Sequence, residues 1–239
     1  MNFKLAIGAL ALAVGLGAAA PAQAELSRGD VENIINEYLL NNPEVILKSV
    51  NDFQTKGVAE AQQKALDENS RQLFEDDMSP TFGKAEGSVR IVEFFDYNCG
   101  YCKRVADAVS QVMEKQENIQ FIFKEYPILG PTSETAARWA LAAEKQGKYV
   151  KYHEALLGAS ERVSEDLLVS IAEDLDLDVD QMRKDADSEA VTKQINDNRA
   201  LAQSLNINGT PAFVIEDEIF PGAIPYETMV EAIESKREG

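Results

Sequence analysis

Apolar and polar positions alternate along this chain in three distinct manners. From Leu5 to Ala20 the run is apolar throughout, and Ala22-Gln23-Ala24 comes after it in a small-x-small pattern. Residues 27–40, SRGDVENIINEYLL, place Val31, Ile34, Ile35, Tyr38 and Leu39 at i, i+3, i+4, i+7 and i+8, with Ser27 and Asp30 at capping-box spacing, which predicts a short amphipathic helix. Asn42-Pro43 then restarts the chain as N-cap and first helical position, and Val45, Ile46, Ser49, Val50 and Phe53 line one face of a second helix. From Lys56 to Asp77 the pattern thins to scattered apolar residues amid charges, a largely exposed linking helix that Pro80 helps to end.

Residues 88–126 change period. SVRIVEFFDYN is β-rich, Cys102 to Lys115 carries Val105, Ala108, Val109, Val112 and Met113 on one helical face, and IQFIFKEY is a second strand. A β-α-β unit results. From Ser133 to Leu205 five helical patterns run without a strand, and GTPAFVIEDEIFPGAIPYETMVEAIESK closes with two short strands and a helix striped by Tyr226, Met229, Val230 and Ile233.

Two short helices with apolar stripes cannot bury those stripes on each other and a polar linker alone. Their partner is either the main domain or the same segment of other copies, and we favour the latter: a homo-oligomer held through residues 25–79. The opening run is shorter than the roughly 20 residues of a membrane span and ends in small residues, so residues 1–24 read as a cleavable signal peptide, with no stable membrane insertion. With no cysteine after the cut to carry a lipid, the expected destination is a bacterial periplasm, which is oxidising. The net charge of −18 becomes −19 when Lys4 leaves with the signal peptide. So acidic a chain repels nucleic acid and anionic lipid and attracts basic clients.

The chain has two cysteines, Cys99 and Cys102, in FFDYNCGYCK at the strand-to-helix turn. As a structural staple the pair is poor, since so short a loop removes only roughly 2 kcal/mol of unfolded-state entropy. As a zinc site it lacks ligands, His153 being the sole histidine. A two-coordinate copper(I) site remains open, and with it a non-enzymatic copper-binding or holdase protein. Redox chemistry uses the placement best: a thiol at a helix N-terminus faces free N–H groups and the positive end of the dipole, which favours thiolate. Cys99 is then the nucleophile, and Cys102, one turn deeper, resolves the mixed disulfide.

The strand, FFDYNCGYC, the helix after it and the later GTPAFVI resemble the thioredoxin superfamily and, within it, the exported DsbA-like proteins, over residues 80–239. The resemblance implies an α/β thioredoxin fold with a helical insertion at about 133–205, preceded by an N-terminal helical segment. It also implies a cis Thr210-Pro211 bond lying against Cys99, with the backbone around Thr210 pairing with client peptide. Glu93 matches the family's buried acid, able to take the Cys102 proton, and Lys124 matches a lysine placed near that acid. Gly100-Tyr101 departs from the Pro-His of the best-known oxidases and is similar to the dipeptide of periplasmic disulfide isomerases, which implies a less extreme thiolate. N-terminal helices joined to such a domain resemble the ScsC-like group. The activity implied is that of a thiol-disulfide oxidoreductase, isomerase or else a monomeric oxidase, without cofactor or metal. It would act on unfolded or misoxidised exported proteins and be reset by a membrane redox partner. Tyr97 and Tyr101 are candidates for an apolar lip at the thiols, Tyr101 as a substrate contact; Asp96, Trp139 and His153 read as structural, and Glu216-Asp217-Glu218 as a solvated hairpin turn.

Overall fold

A computed structural model of the protein describes residues 26–84 and 89–237, so the expected signal peptide lies outside the described residues. Ser27 starts α1 (Arg28–Asn41): its Oγ accepts the Asp30 N–H at 3.2 Å, and Asp30 Oδ2 accepts the Ser27 N–H at 3.0 Å, the reciprocal box that the spacing predicts. The Asn42 side chain closes α1, donating from Nδ2 to the Tyr38 carbonyl at 2.7 Å, while its carbonyl accepts the Val45 N–H at the start of α2 (Pro43–Phe74). One helix spans all of residues 43–74, where the thinning pattern predicts two. Gly57 lies within it, in open space.

The chain divides between Thr55 and Lys56 into two compact units. In the first, α1 buries no residue, and Val31, Ile34, Ile35 and Tyr38 are exposed, as are Ile46, Val50 and Phe53 on α2. In the second, Leu66 and Leu73 of α2 are buried, each contributing about 1.5–3 kcal/mol by leaving water. The division between the compact units falls within α2, and α2 stops at Phe74, before Pro80 can act.

The second unit is built on a sheet ordered β1-β3-β2-β4-β5. Its strands are β1 (Thr81–Gly83), β2 (Val89–Phe95), β3 (Ile119–Glu125), β4 (Ala212–Ile215) and β5 (Glu218–Pro221). Among the described residues only β2 and β3 pair in parallel, joined by α3 (Gly100–Lys115). β1 is too short to leave a pattern in the sequence, and it needs Gly83, whose φ is +88° and where a Cβ would sit 2.2 Å from the Ile119 carbonyl oxygen. Between β3 and β4 come α4 (Pro131–Glu144), α5 (Tyr149–Gly158), α6 (Glu165–Asp174), α7 (Val179–Ala186) and α8 (Glu189–Ser204), the helices the periodicity predicts. Ser164, Asp178 and Ser188 cap the last three by accepting the N–H three residues on. α9 (Tyr226–Arg237) ends the described residues.

Successive residues of a strand face opposite sides of its sheet, so two cores form. Ile91, Phe95, Phe121 and Phe123 pack with α3, α9 and the inserted helices, Trp139 among them. Val92, Phe94, Ile122 and Val214 pack with Leu66 and Leu73 of α2 and Leu201 and Leu205 near the end of α8. The α/β thioredoxin-type architecture expected from the sequence is the one observed. The Glu216–Glu218 turn is not simply solvated: Arg90 Nη2 meets Glu216 Oε2 at 2.6 Å while its guanidinium lies 4.0 Å over Phe74, and Lys236 Nζ meets Asp217 Oδ1 at 2.6 Å. No helix among the described residues is long and apolar enough to cross a membrane.

Candidate active site

β2 ends at Phe95, and a buried carboxylate shapes the turn beyond it. Asp96 Oδ1 accepts the Asn98 N–H at 2.8 Å, Oδ2 accepts the Ile128 and Leu129 N–H groups at 2.8 and 2.9 Å, and its carbonyl accepts the Cys99 N–H at 3.0 Å. Asn98 Nδ2 adds bonds to Thr132 Oγ1 and Ser133 Oγ at the start of α4, at 3.0 and 2.9 Å. The turn is thus pinned on both sides before Cys99 begins α3 as its N-cap. Cys99 Sγ lies 3.5 Å from the Cys102 N–H nitrogen that it caps and 3.1 Å from the Thr210 carbonyl oxygen, to which the thiol donates. The Thr210-Pro211 bond is cis, as the resemblance implies.

Both cysteines are free thiols, Cys99 5% exposed and Cys102 0%, so Cys99 keeps a small opening to solvent and Cys102 keeps none. Cys99 is held down to about 5, first by the Cys102 thiol donating to it, then by the Thr210 side chain and the N–H groups of Cys102 and Tyr101, against the contrary pull of burial. Burial pushes Cys102 well up, helped by its bond to Cys99 and by the nearby Glu93 charge. Glu93 is fully buried, neither of its carboxyl oxygens has a partner, and burial together with the Cys99 charge raises it to about 8. Three coupled groups with displaced proton affinities therefore meet at one helix start, an arrangement suited to sulfur exchange with an internal proton acceptor.

A DSBA-like thioredoxin domain matches residues 90–234, which run from β2 through the cysteine turn and the cis proline into α9. The chain belongs to this DSBA-like family. It is 41% identical to a thioredoxin-like oxidoreductase from Silicibacter pomeroyi, whose crystal structure aligns with a TM-score of 0.68 over 71% of this chain and 98% of that one. ScsC of Proteus mirabilis in a transitional conformation is 25% identical, with a TM-score of 0.67 over 88% of this chain and 96% of that one. A probable disulfide bond formation protein D of Bacillus cereus is 27% identical over 71% of this chain and 83% of its own length. The chain also matches Na(+)/H(+) antiporter NhaA 1 of Salinispora arenicola at 28% identity, spanning 24% of that protein.

Within this DSBA-like domain, Lys124 does not stand beside Glu93. The β2–β3 register sets Glu93 opposite Phe123 and Lys124 opposite Phe94, so the two project from opposite faces of the sheet. Lys124 is buried instead against the end of α2, where Nζ donates to the Gln72 carbonyl at 2.7 Å, Asp76 Oδ2 at 2.8 Å and Ser79 Oγ at 2.9 Å. It acts as a latch between β3 and α2. Asp76→Ala leaves that buried ammonium one charged partner short and is expected to cost about 2 kcal/mol, read as a lower urea midpoint with Cys99 alkylation unchanged. An unaltered midpoint would remove the latch.

Tyr97 is likewise not part of a lip, being 1% exposed; Tyr101 is 60% exposed, with the Arg104 guanidinium 4.0 Å over its ring. Ile128 and Leu129, tied to the turn through Asp96, supply further exposed apolar surface that the sequence pattern does not single out. Also unforeseen is Glu125, 1% exposed on β3, whose Oε1 accepts the Tyr97 and Tyr149 hydroxyls, each at 2.8 Å. The Tyr97 hydroxyl in turn lies 3.1 Å from His153 Nδ1. A second acid in an apolar strand is a legible signal, the same one that marks Glu93. Among the described residues no group of three or more His, Cys, Asp or Glu is arranged to hold a metal ion.

Proposed function

We propose that this protein is a periplasmic thiol-disulfide oxidoreductase that isomerises disulfides in exported proteins through its Cys-Gly-Tyr-Cys dithiol. The observation carrying the proposal is the pairing of a thiol of low proton affinity at a helix start with a sealed thiol one turn away. Cys99 thiolate attacks a client disulfide, one client sulfur leaves as thiolate, and a mixed disulfide forms. That step removes the Cys99 charge, which is one of the two causes holding Glu93 protonated, so Glu93 ionises more readily when a proton acceptor is next needed. Cys102 then gives its proton to Glu93 and attacks Cys99 Sγ, releasing the second client sulfur. If the client's own thiol attacks first, the client is reshuffled instead. A membrane redox partner returns the dithiol.

Isomerisation is favoured over simple oxidation by two features. Gly100-Tyr101 supplies no histidine beside the thiolate, and the first unit offers the water-facing stripe of Val31, Ile34, Ile35, Tyr38, Ile46, Val50 and Phe53, suited to covering by further copies. Self-association through the N-terminal helices would set several dithiols around one client. Clients would meet Tyr101, Ile128 and Leu129 as apolar contacts and the Thr210 backbone as a pairing edge. The expected signal peptide, the acidic charge and the likeness to ScsC support export.

The test removes residues 25–55, leaving Leu66 and Leu73 to the core. Light scattering is expected to show an oligomer for the mature chain and a monomer for the shortened one, with recovery of scrambled ribonuclease activity falling as the mass falls. Cys99→Ser is expected to abolish both reshuffling and insulin reduction at unchanged circular dichroism. A monomeric mature chain would defeat the isomerase reading, and a fully active Cys99→Ser protein would defeat the enzyme.

A further inference from the structure

Glu93 holds a proton beside the Cys99 thiolate, so it must lose that proton before it can accept one from Cys102 and must lose another after resolution, yet it is fully buried. On the same sheet face lies Glu125, diagonal to it across the β2–β3 pair, since Glu93 faces Phe123 and Glu125 faces Phe95. Such diagonal Cα atoms lie roughly 7–8 Å apart, within reach of two long carboxyl side chains directly or through one water. Among the described residues four buried side-chain polar atoms lack a partner, and three of them belong to these two carboxyls. From Glu125 a hydrogen-bonded path continues through the Tyr97 hydroxyl to His153 Nδ1. His153 lines a cavity of about 300 Å³ between α3 and α5, together with Asp107, Glu114 and Glu154.

We propose that Glu125, Tyr97 and His153 form a proton relay between buried Glu93 and the cavity between α3 and α5. The inference rests on reading Glu93 as the acceptor of the Cys102 proton. The electron pair of the Cys102 sulfur makes the bond to Cys99 Sγ, the client sulfur leaves with the pair of the broken bond, and the Cys102 proton sits on Glu93. The Tyr97 hydroxyl, which donates to Glu125 at rest, turns toward His153 Nδ1; Glu93 then passes a proton to Glu125, Glu125 passes its own to the Tyr97 oxygen, Tyr97 passes its own to His153 Nδ1, and His153 releases one from Nε2 to water. Glu125, Tyr97 and His153 each give up one proton as they take one, so the relay itself gains no charge and Glu93 returns to the carboxylate that the next resolution step needs.

The members suit that duty. Burial keeps His153 down to about 3, so its ring is neutral and Nδ1 can accept or donate. Burial first, and then the charges of Asp96 and Glu93, hold Glu125 well above the usual carboxylate range despite its two tyrosine bonds. Other titratable groups facing the relay are Tyr149 on α5 and Cys99 and Cys102 at the start of α3; Lys124 faces away from it. A hydroxyl held between two groups that each give or take a proton conducts in both directions, which a reversible exchange requires.

The relay is tested with reduced full-length protein and Ellman's reagent, which yields one thionitrobenzoate when Cys99 attacks and a second when Cys102 resolves the adduct. Tyr97→Phe keeps the ring against Phe95 and removes the link. It should leave the first release unchanged and slow the second by about tenfold, less than the loss of an acid–base group itself. Glu125→Gln, which cannot carry the proton, should do the same, so the result does not hang on one variant. Tyr149→Phe removes an equal bond to Glu125 off the path and should leave both releases unchanged. If Glu93→Gln slows the second release while Tyr97→Phe and Glu125→Gln do not, the relay is wrong and the Glu93 reading stands. If Glu93→Gln leaves it unchanged, both fall.

Discussion

Alkylation of the reduced protein by iodoacetamide is expected to follow one titration centred near pH 5 and to label Cys99 alone. The size of the effect is set by two opposed influences. At pH 6 the thiolate fraction of Cys99 exceeds that of an ordinary thiol near 9 by close to 10³. A thiolate that holds its proton weakly is also a weaker nucleophile, and a Brønsted slope of 0.4–0.5 removes nearly 10² of that gain. The net expectation is a rate about tenfold above an ordinary thiol at pH 6, flat from there upward, where an unfolded control keeps climbing to pH 9. Because the Cys102 thiol is the first cause of the low Cys99 value, Cys102→Ala should move the midpoint upward. Linkage gives the matching sign: the folded value lies below the unfolded one near 9, so the stabilisation of the reduced fold by Cys99 is complete above pH 9 and is lost as pH falls through about 5. A midpoint above pH 8 in the native protein would overturn the account of this site.

Glu93→Leu is expected to produce a more stable protein that resolves mixed disulfides about a hundredfold more slowly. Glu93 has a folded value of about 8 against an ordinary 4.5, so between those limits the folded state holds a proton that the unfolded state has released. Stability must then fall with rising pH across that window, by roughly 3 kcal/mol between pH 4.5 and pH 7 at 1.36 kcal/mol per unit. Leucine removes this loss, so the variant's advantage in urea should be small at pH 4.5, grow to about 3 kcal/mol at pH 7 and level off above pH 8. The gain should be larger for the reduced than for the oxidised form, because only the former carries the Cys99 charge that adds to the shift. A variant less stable than the parent at pH 7 would show that Glu93 is held by partners it is not seen to have. The trade of stability for turnover is the usual mark of a group retained for chemistry.

Much of this fold is legible in the residues. Helix stripes, caps and the strand runs define α1, α3 to α9 and four strands, because each of those signals is local. The cysteine turn is legible for the same reason. Everything set by register is not. IQFIFKEY is apolar on both faces, so alternation cannot say which side Lys124 takes; only its pairing one step off Glu93 decides that, and pairing is a property of two strands. Glu216 looks solvated in sequence because its partner Arg90 lies 126 residues away. The sparse stripe of α2 hides Leu66 and Leu73, whose burial depends on a sheet that the helix itself cannot announce. Glu125 is the exception, a local signal left unread: like Glu93, it is an acid in an otherwise apolar strand.

The closed environment of Cys102 carries a kinetic consequence. With that atom shut away from every outside molecule, whatever delivers oxidising or reducing equivalents must use the same doorway as the polypeptides being remodelled. Recharging and service therefore alternate and never overlap. A surplus of either visitor would crowd out the other, and throughput would peak where the two arrive in balance.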